Sequence, residues 1–176
     1  MSDKGIKSGS ARERRSFACD TSSLILLHRV NLLETTTAAY RLLVTPNVLA
    51  ELKRGGFPAD HRLFEQATIS RRPKETAPAI PGLSSTDAEV IALYHSARAD
   101  AVLSDDGALL RYCRRSGLPH YCALSLLSLL VADKGLSPRA AENAFSTLIM
   151  YGRYSSTVID QGREMLRRAV QKLDLE

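Results

Sequence analysis

The fold is decided by the stretch Phe17-Ala18-Cys19-Asp20-Thr21-Ser22-Ser23-Leu24, in which an apolar run ends in an acid and three hydroxyl residues follow. A short apolar run bounded by turn residues predicts a buried strand. The hydroxyl residues are suited to capping a helix, and Leu24 and Leu27 continue at helical spacing. The stretch therefore predicts a strand, a tight turn and a helix, with Asp20 at the carboxyl end of the strand.

A second stretch repeats this arrangement, because the apolar run Ala101-Val102-Leu103 leads into Ser104-Asp105-Asp106 and a helix that begins at Gly107. In open parallel α/β sheets, ligands bind at the carboxyl ends of the strands. We therefore expect Asp20 and Asp105 to lie where a ligand binds.

The rest of the chain alternates in the same way. Leu42–Val44 predicts a strand, and Thr45-Pro46 supplies an N-cap and a first-turn proline for a helix that ends near Gly55. The other predicted elements are a short helix at 60–68, a basic loop at 70–82, helices at 84–99, 107–116 and 123–134, a strand at 118–121, and two C-terminal helices that start at Ser137-Pro138 and at Ser155 or Ser156. This alternation predicts an α/β sandwich with a mostly parallel sheet.

Composition favours a single domain, because 176 residues with 44% hydrophobic content can bury a sizeable core. The three cysteines form no CxxC pair, which favours a reducing compartment. The longest apolar stretch, Ala123–Ala132, is about half of the ~20 residues that a membrane span needs, and the N-terminus has no signal-peptide pattern. We expect a cytoplasmic protein that does not contact a membrane.

The net charge of +5 is concentrated at the N-terminus. Residues 1–16 carry five basic and two acidic residues, a net charge of +3, and contain few apolar groups. Such a segment predicts a basic, disordered tail. The remainder, 17–176, is expected to be one domain with a core at about 17–134 and a helical extension at about 137–173.

Four separated acids each lie beside an apolar segment: Asp20, Glu51, Asp87 and Asp105. Carboxylates that a fold brings together repel one another unless a cation compensates them. Oxygen ligands without Cys or His favour Mg²⁺ or Mn²⁺ over zinc. Such ions support phosphodiester hydrolysis, because they activate water and stabilise charge on a phosphoryl group.

Each acid also has a purely structural interpretation. Asp87 lies three residues after Ser84 and can close a capping box, and Asp105 or Asp106 can cap the helix at Gly107. Glu51 fits a solvated helix surface. Asp20 is the hardest to explain in this way, because an acid that ends an apolar run is buried and needs a counter-charge.

Four segments resemble, in order, the motifs of the PIN-domain ribonucleases. They are 20–22, 45–52, 85–93 and 103–111, and they contain Asp20, Glu51, Asp87 with the following acid Glu89, and Asp105 with Asp106. The resemblance implies a Rossmann-like three-layer α/β/α sandwich and metal-dependent cleavage of single-stranded RNA. It also implies Mg²⁺ or Mn²⁺ held by the four acids, with Ser22 and Asp106 assisting.

The resemblance carries further expectations about partners. Many members are VapC-type toxins held inactive by an antitoxin, and homodimers are frequent. The segment Tyr121-Cys122-Ala123-Leu124-Ser125 lacks the acid that some relatives place there, which argues against a second metal position.

An acidic pocket needs nearby cations to guide RNA. The candidates are Lys53, Arg54, Arg71, Arg72, Lys74 and Arg111, and the alternative is that they form ordinary solvated surfaces. Two other functions stay open on the sequence alone. One is a catalytically inactive PIN-like module that binds RNA or a protein partner, and the other is a receiver-type phosphoacceptor, suggested by Asp105-Asp106.

Overall fold

The computed structural model describes residues 14–57, 68–70, 78–173 and 175. Most of the predicted tail, nearly all of the predicted helix at 60–68, and Arg71, Arg72 and Lys74 lie outside these residues. The described part contains five strands: β1 (Ser16–Cys19), β2 (Arg41–Val44), β3 (Thr68–Ser70), β4 (Ala101–Leu103) and β5 (His120–Tyr121).

The same part of the chain contains eight helices. They are α1 (Thr21–Arg29), α2 (Leu33–Ala39), α3 (Pro46–Arg54), α4 (Ser85–Ala97), α5 (Gly107–Arg115), α6 (Ala123–Ala132), α7 (Pro138–Tyr151) and α8 (Ser156–Leu173). Their starts follow the capping residues, since Thr45 accepts from the Val48 N–H and Ser137 from the Ala140 N–H, each with proline at the first turn.

The strands form one sheet in the order β3-β2-β1-β4-β5, and every pair among them is parallel. This is the order of the first five strands of a Rossmann-type sheet. The α/β/α sandwich predicted from the sequence is confirmed, with a described sheet that is fully rather than mostly parallel. Because the chain returns from β3 to place β4 beside β1, the strand order reverses between β1 and β4.

The centre of the sheet is buried, as expected for a parallel sheet covered by helices. Phe17 on β1 is fully buried and meets the rings of Tyr40 and Tyr121 edge-on, at centroid distances of 5.1 and 5.7 Å. Burying one such side chain contributes about 1.5–3 kcal/mol. Strand β1, which leads directly into Asp20, is therefore anchored in the core.

The C-terminal helices belong to the same core. Helix α8 packs on α6, and Gly162 allows the close approach, because a Cβ there would lie 3.3 Å from Leu124 Cβ and 3.2 Å from the Phe145 ring. Leu148 and Leu166 join the buried cluster. The helical extension thus packs on the sheet domain, and the linker between α7 and α8 reaches the carboxyl end of β4.

Two described elements were not predicted. Helix α2 has no side-chain N-cap and contains three consecutive threonines, which are weak helix formers, so its sequence gives little local signal. Strand β3 covers three residues where the sequence suggested a helix end and a loop. None of the described helices is long and apolar enough to cross a membrane.

Candidate active site

The candidate site lies at the carboxyl ends of β1 and β4, where the strand order reverses. Residues Cys19 and Leu103 are register partners, so Asp20 and Ser104 leave the sheet side by side. The Asp20 N–H donates to the Leu103 carbonyl at 3.1 Å. Crevices at such reversals are the usual ligand sites of open α/β sheets.

Asp20 is buried, with 3% of its surface exposed, and both of its carboxylate oxygens accept hydrogen bonds. Oδ1 accepts from the N–H and the hydroxyl of Ser23 at 2.9 and 2.7 Å. Oδ2 accepts from the hydroxyls of Ser22 and Ser104, both at 2.7 Å. Burial raises the pKa of Asp20, while these hydrogen bonds lower it in part.

Asp105 is tied to two elements that follow it in the chain. The Tyr154 hydroxyl donates to Oδ1 at 2.6 Å, and the Ala123 N–H donates to Oδ1 and Oδ2 at 3.2 and 3.1 Å. Burial raises the pKa of Asp105 to about 7, with the negative charge of Asp20 adding to the shift against the Tyr154 and Ala123 hydrogen bonds. The two acids are thus close enough to repel each other.

Ser22 joins the two acids directly. Its hydroxyl donates to Asp20 Oδ2 at 2.7 Å and accepts from the Asp105 N–H at 3.1 Å. The sequence suggested Ser22 as a small polar residue that assists the acids, and its hydrogen bonds fix the position of one acid relative to the other.

Glu51 lies on α3 and is held by two threonine hydroxyls. Thr21, directly after Asp20, donates to Oε2 at 2.6 Å, and Thr86 on α4 donates to Oε1 at 2.6 Å. Because Thr86 is buried and Thr21 adjoins Asp20, Glu51 is anchored at the border of the Asp20 segment.

Asp87 and Asp106 act as helix caps. Asp87 closes the capping box of α4, since its carboxylate accepts from the Ser84 N–H at 3.2 Å and the Ser84 hydroxyl accepts from the Asp87 N–H at 3.1 Å. Asp106 caps α5 by accepting from the N–H groups of Ala108 and Leu109 at 2.7 and 2.9 Å. Glu89 accepts from the Asn47 amide at 2.6 Å.

The four acids do not form one metal-binding group. Among the described residues, no set of three or more His, Cys, Asp or Glu side chains is placed to hold a metal ion. Two carboxylates are enough for Mg²⁺, which commonly keeps several waters and takes substrate phosphates as further ligands. Asp20 and Asp105 therefore fit such a site in donor chemistry, whereas the four-carboxylate arrangement predicted from the sequence does not.

Among the described residues, the two acids also lack a cationic side chain that would compensate their charge. None of the ion pairs found in the described part of the chain involves Asp20 or Asp105. Asp20 already uses its four acceptor positions, so a cation requires the Ser22 or Ser104 hydroxyl to turn. Within the described ranges, Asp105 Oδ2 accepts a hydrogen bond only from the Ala123 N–H, which leaves it a lone pair.

Three contacts of the acids were not found from the sequence. The hydroxyl of Ser104, directly before Asp105, is a signal that the sequence offers for its contact with Asp20. Thr86 directly precedes Asp87, and its contact with Glu51 has no counterpart in the local sequence. Tyr154 is 49 residues from Asp105, and nothing in the local sequence links the two.

The basic residues predicted to guide RNA differ in how near they lie to the acids. Arg111 lies over the start of α5, because a Cβ at Gly107 would come within 3.2 Å of its Nη1. This places a cation beside the Asp105-Asp106 turn. Lys53 and Arg54 are exposed in the last turn of α3, the helix that carries Glu51.

The fold and the site define a Rossmann-like α/β protein with an acidic pair, buried Asp20 and half-buried Asp105, at the reversal of its sheet. The profile of a family described as PIN domain matches residues 16–169, and the chain belongs to this family. PIN domains are generally nucleases that use divalent metal ions. The resemblance read from the sequence is confirmed, and it removes the receiver-type alternative. Comparison with curated proteins found no match.

Proposed function

We propose that this protein is a Mg²⁺- or Mn²⁺-dependent endoribonuclease that hydrolyses phosphodiester bonds of single-stranded RNA. The observation that carries the proposal is the acidic pair of buried Asp20 and half-buried Asp105, joined through Ser22 and without a cationic partner among the described ion pairs. Two desolvated carboxylates repel each other, and a divalent cation bound between them would compensate their charge.

In this proposal Asp20 and Asp105 hold the ion, and Glu51 stands at the border of the site. A bound divalent ion would supply an activated water and stabilise the charge that develops on the phosphoryl group. Ser23 keeps the Asp20 carboxylate oriented through two hydrogen bonds to Oδ1, and the Ser22 or Ser104 hydroxyl would turn to leave a position on Oδ2 for the ion. Thr21 and Thr86 fix the Glu51 carboxylate, which is then available to accept a proton from an attacking water.

We assign the other two acids supporting roles. Asp87, predicted from the sequence as a ligand, stabilises the start of α4 through its capping box. Asp106 stabilises α5 and so fixes the turn that presents Asp105. Their contributions to activity are then indirect.

RNA approaches a site whose own charge is negative, so cations at its rim are required. Arg111 beside the Asp105 turn is the best placed of the described candidates. Lys53 and Arg54 on α3 are the next. Arg71, Arg72 and Lys74 stay predictions, because they lie outside the described residues.

The test is cleavage of a labelled single-stranded RNA with added Mn²⁺, comparing the wild type with Asp20→Asn and Asp105→Asn. Asp133→Asn is the matched control, because Asp133 contacts Tyr40 and Arg15 at the amino ends of β1 and β2, away from the carboxyl ends that carry the site. We expect both site variants to lose activity and the control to keep it. Equal activity in all four proteins would overturn the mechanism.

A second function is favoured by one observation, the complete use of the Asp20 acceptor positions by serine groups. A PIN-like module that binds RNA or a protein partner without cleaving it needs no free ligand position. It predicts no heat of Mn²⁺ binding in calorimetry and no cleavage that depends on the acids.

The biological role proposed from the VapC-type resemblance is that of a cytoplasmic, homodimeric toxin inhibited by an antitoxin. Growth arrest on expression, absent for Asp20→Asn and relieved by a small protein encoded beside the gene, would support it. Growth unaffected by the wild type would count against it, and the elution volume of the purified protein tests the dimer.

A further inference from the structure

The linker between α7 and α8 places a tyrosine on one of the two proposed ligands. The Tyr154 hydroxyl donates to Asp105 Oδ1 at 2.6 Å, a length typical of a hydrogen bond to a carboxylate. Tyr154 belongs to the helical extension rather than to any segment that carries the acids. The extension thus contributes a contact inside the candidate site.

Gly152 shows how closely the linker fits this ring. A Cβ at Gly152 would lie 2.1 Å from Tyr154 Cε2 and 2.7 Å from its Cζ, so any other residue there moves the ring. The backbone at Gly152 is extended, with φ of −84° and ψ of 151°, so glycine is required for space and not for conformation.

Asp105 has a second partner in the first N–H of α6. The Ala123 N–H donates to both carboxylate oxygens, and Tyr154 to Oδ1 only. Together they fix the plane of the carboxylate and leave a lone pair on Oδ2. A metal ligand needs an oriented carboxylate with a lone pair left for the ion.

We propose that Tyr154 is a positioning residue that holds the Asp105 carboxylate in the orientation that binds the divalent cation. The inference rests on the proposed function, because it assigns Asp105 as a ligand. Partners that orient a ligating carboxylate typically contribute 10–100-fold to metal affinity. The C-terminal extension then completes the site.

The test compares Mn²⁺ affinity, measured by electron paramagnetic resonance of free Mn²⁺, in the wild type, Tyr154→Phe and Tyr40→Phe. The Tyr40 hydroxyl donates to Asp133 at 2.9 Å at the amino ends of β1 and β2, so this control removes the same chemical group away from the site. We expect Tyr154→Phe to bind Mn²⁺ about tenfold more weakly. We expect Tyr40→Phe to bind it like the wild type.

A second variant, Gly152→Ala, displaces the ring while it keeps the hydroxyl, and we expect it to weaken Mn²⁺ binding in the same direction. A metal-free readout is the exchange rate of the Ala123 amide proton, which should rise in Tyr154→Phe. It should stay unchanged in Tyr40→Phe.

The outcomes separate the two proposals. Wild-type protein that binds Mn²⁺ with an affinity equal to that of Tyr154→Phe would overturn the role of Tyr154 and leave the proposed function standing. Wild-type protein that neither binds Mn²⁺ nor cleaves RNA would overturn the proposed function, and the role of Tyr154 in metal binding with it.

Discussion

The Ser104 hydroxyl donates to Asp20 Oδ2 at 2.7 Å, across the boundary between β4 and β1. The same hydroxyl accepts from the Asp106 N–H at 3.0 Å, so it connects the buried acid of one strand to the turn that follows the other. Ser104 is itself fully buried. The geometry of the acidic pair therefore depends on this residue as well as on Ser22.

Ser104→Ala is expected to destabilise the protein by about 1–3 kcal/mol, because it removes a buried donor from a carboxylate. Urea unfolding measures the loss. Ser96→Ala is the control, since the Ser96 hydroxyl makes only a 3.4 Å contact with the Leu93 carbonyl. Equal losses in the two variants would show that Asp20 gains nothing from Ser104.

Asp105 makes the stability of the metal-free protein depend on pH. Because burial raises its pKa from 3.8 to about 7, the folded state holds a proton that the unfolded chain has released. Stability therefore falls as the pH rises from about 4 to about 7, by on the order of 2–4 kcal/mol. Asp105→Asn should flatten this fall and be the more stable protein at pH 8.

Thermal unfolding in the presence of a chelator, measured from pH 4 to pH 8, checks this expectation. Added Mn²⁺ should raise the melting temperature of the wild type at pH 8 and leave that of Asp105→Asn nearly unchanged. Parallel pH profiles for the two proteins would contradict the assignment of the shift to Asp105.

Asp87 is expected to support folding rather than metal binding. Ser84→Ala and Asp87→Asn each weaken the capping box of α4 and should cost about 1 kcal/mol, with a combined loss smaller than their sum. Both variants should retain Mn²⁺-dependent cleavage. Loss of cleavage in Asp87→Asn but not in Ser84→Ala would instead make Asp87 a ligand.

The role of Glu51 in cleavage is expected to depend on the hydrogen bonds that Thr21 and Thr86 donate to its carboxylate. Thr21→Val and Thr86→Val keep the side-chain shape but remove a 2.6 Å donor each, and cleavage should fall about tenfold in either variant. Thr147→Val is the control, because the Thr147 hydroxyl is exposed and donates within α7. Unchanged cleavage in both site variants would remove Glu51 from the mechanism.

Local rules in the sequence account for much of the fold. The positions of β1 and β4 followed from short apolar runs that end in an acid, and the starts of α3 and α7 from a hydroxyl residue followed by proline. The capping box at Ser84 was also visible as a spacing. These features depend on neighbouring residues, which a sequence displays directly.

The features that the sequence did not predict depend on contacts between distant segments. The threonine run of α2 has no cap and gains its stability from packing, as Thr36 is fully buried. Tyr154 reaches Asp105 only because α7 and α8 return to the sheet. The order of the motifs could not reveal either that, among the described residues, no three acids are placed to hold one metal ion.

The most direct test of the central claim is Mn²⁺-dependent cleavage of single-stranded RNA by wild-type protein and Asp105→Asn at pH 8. The variant is expected to be the better folded of the two without metal, so a loss of its activity cannot be attributed to unfolding. The account predicts cleavage by the wild type that a chelator abolishes and no cleavage by Asp105→Asn. Equal cleavage by the two proteins would contradict it.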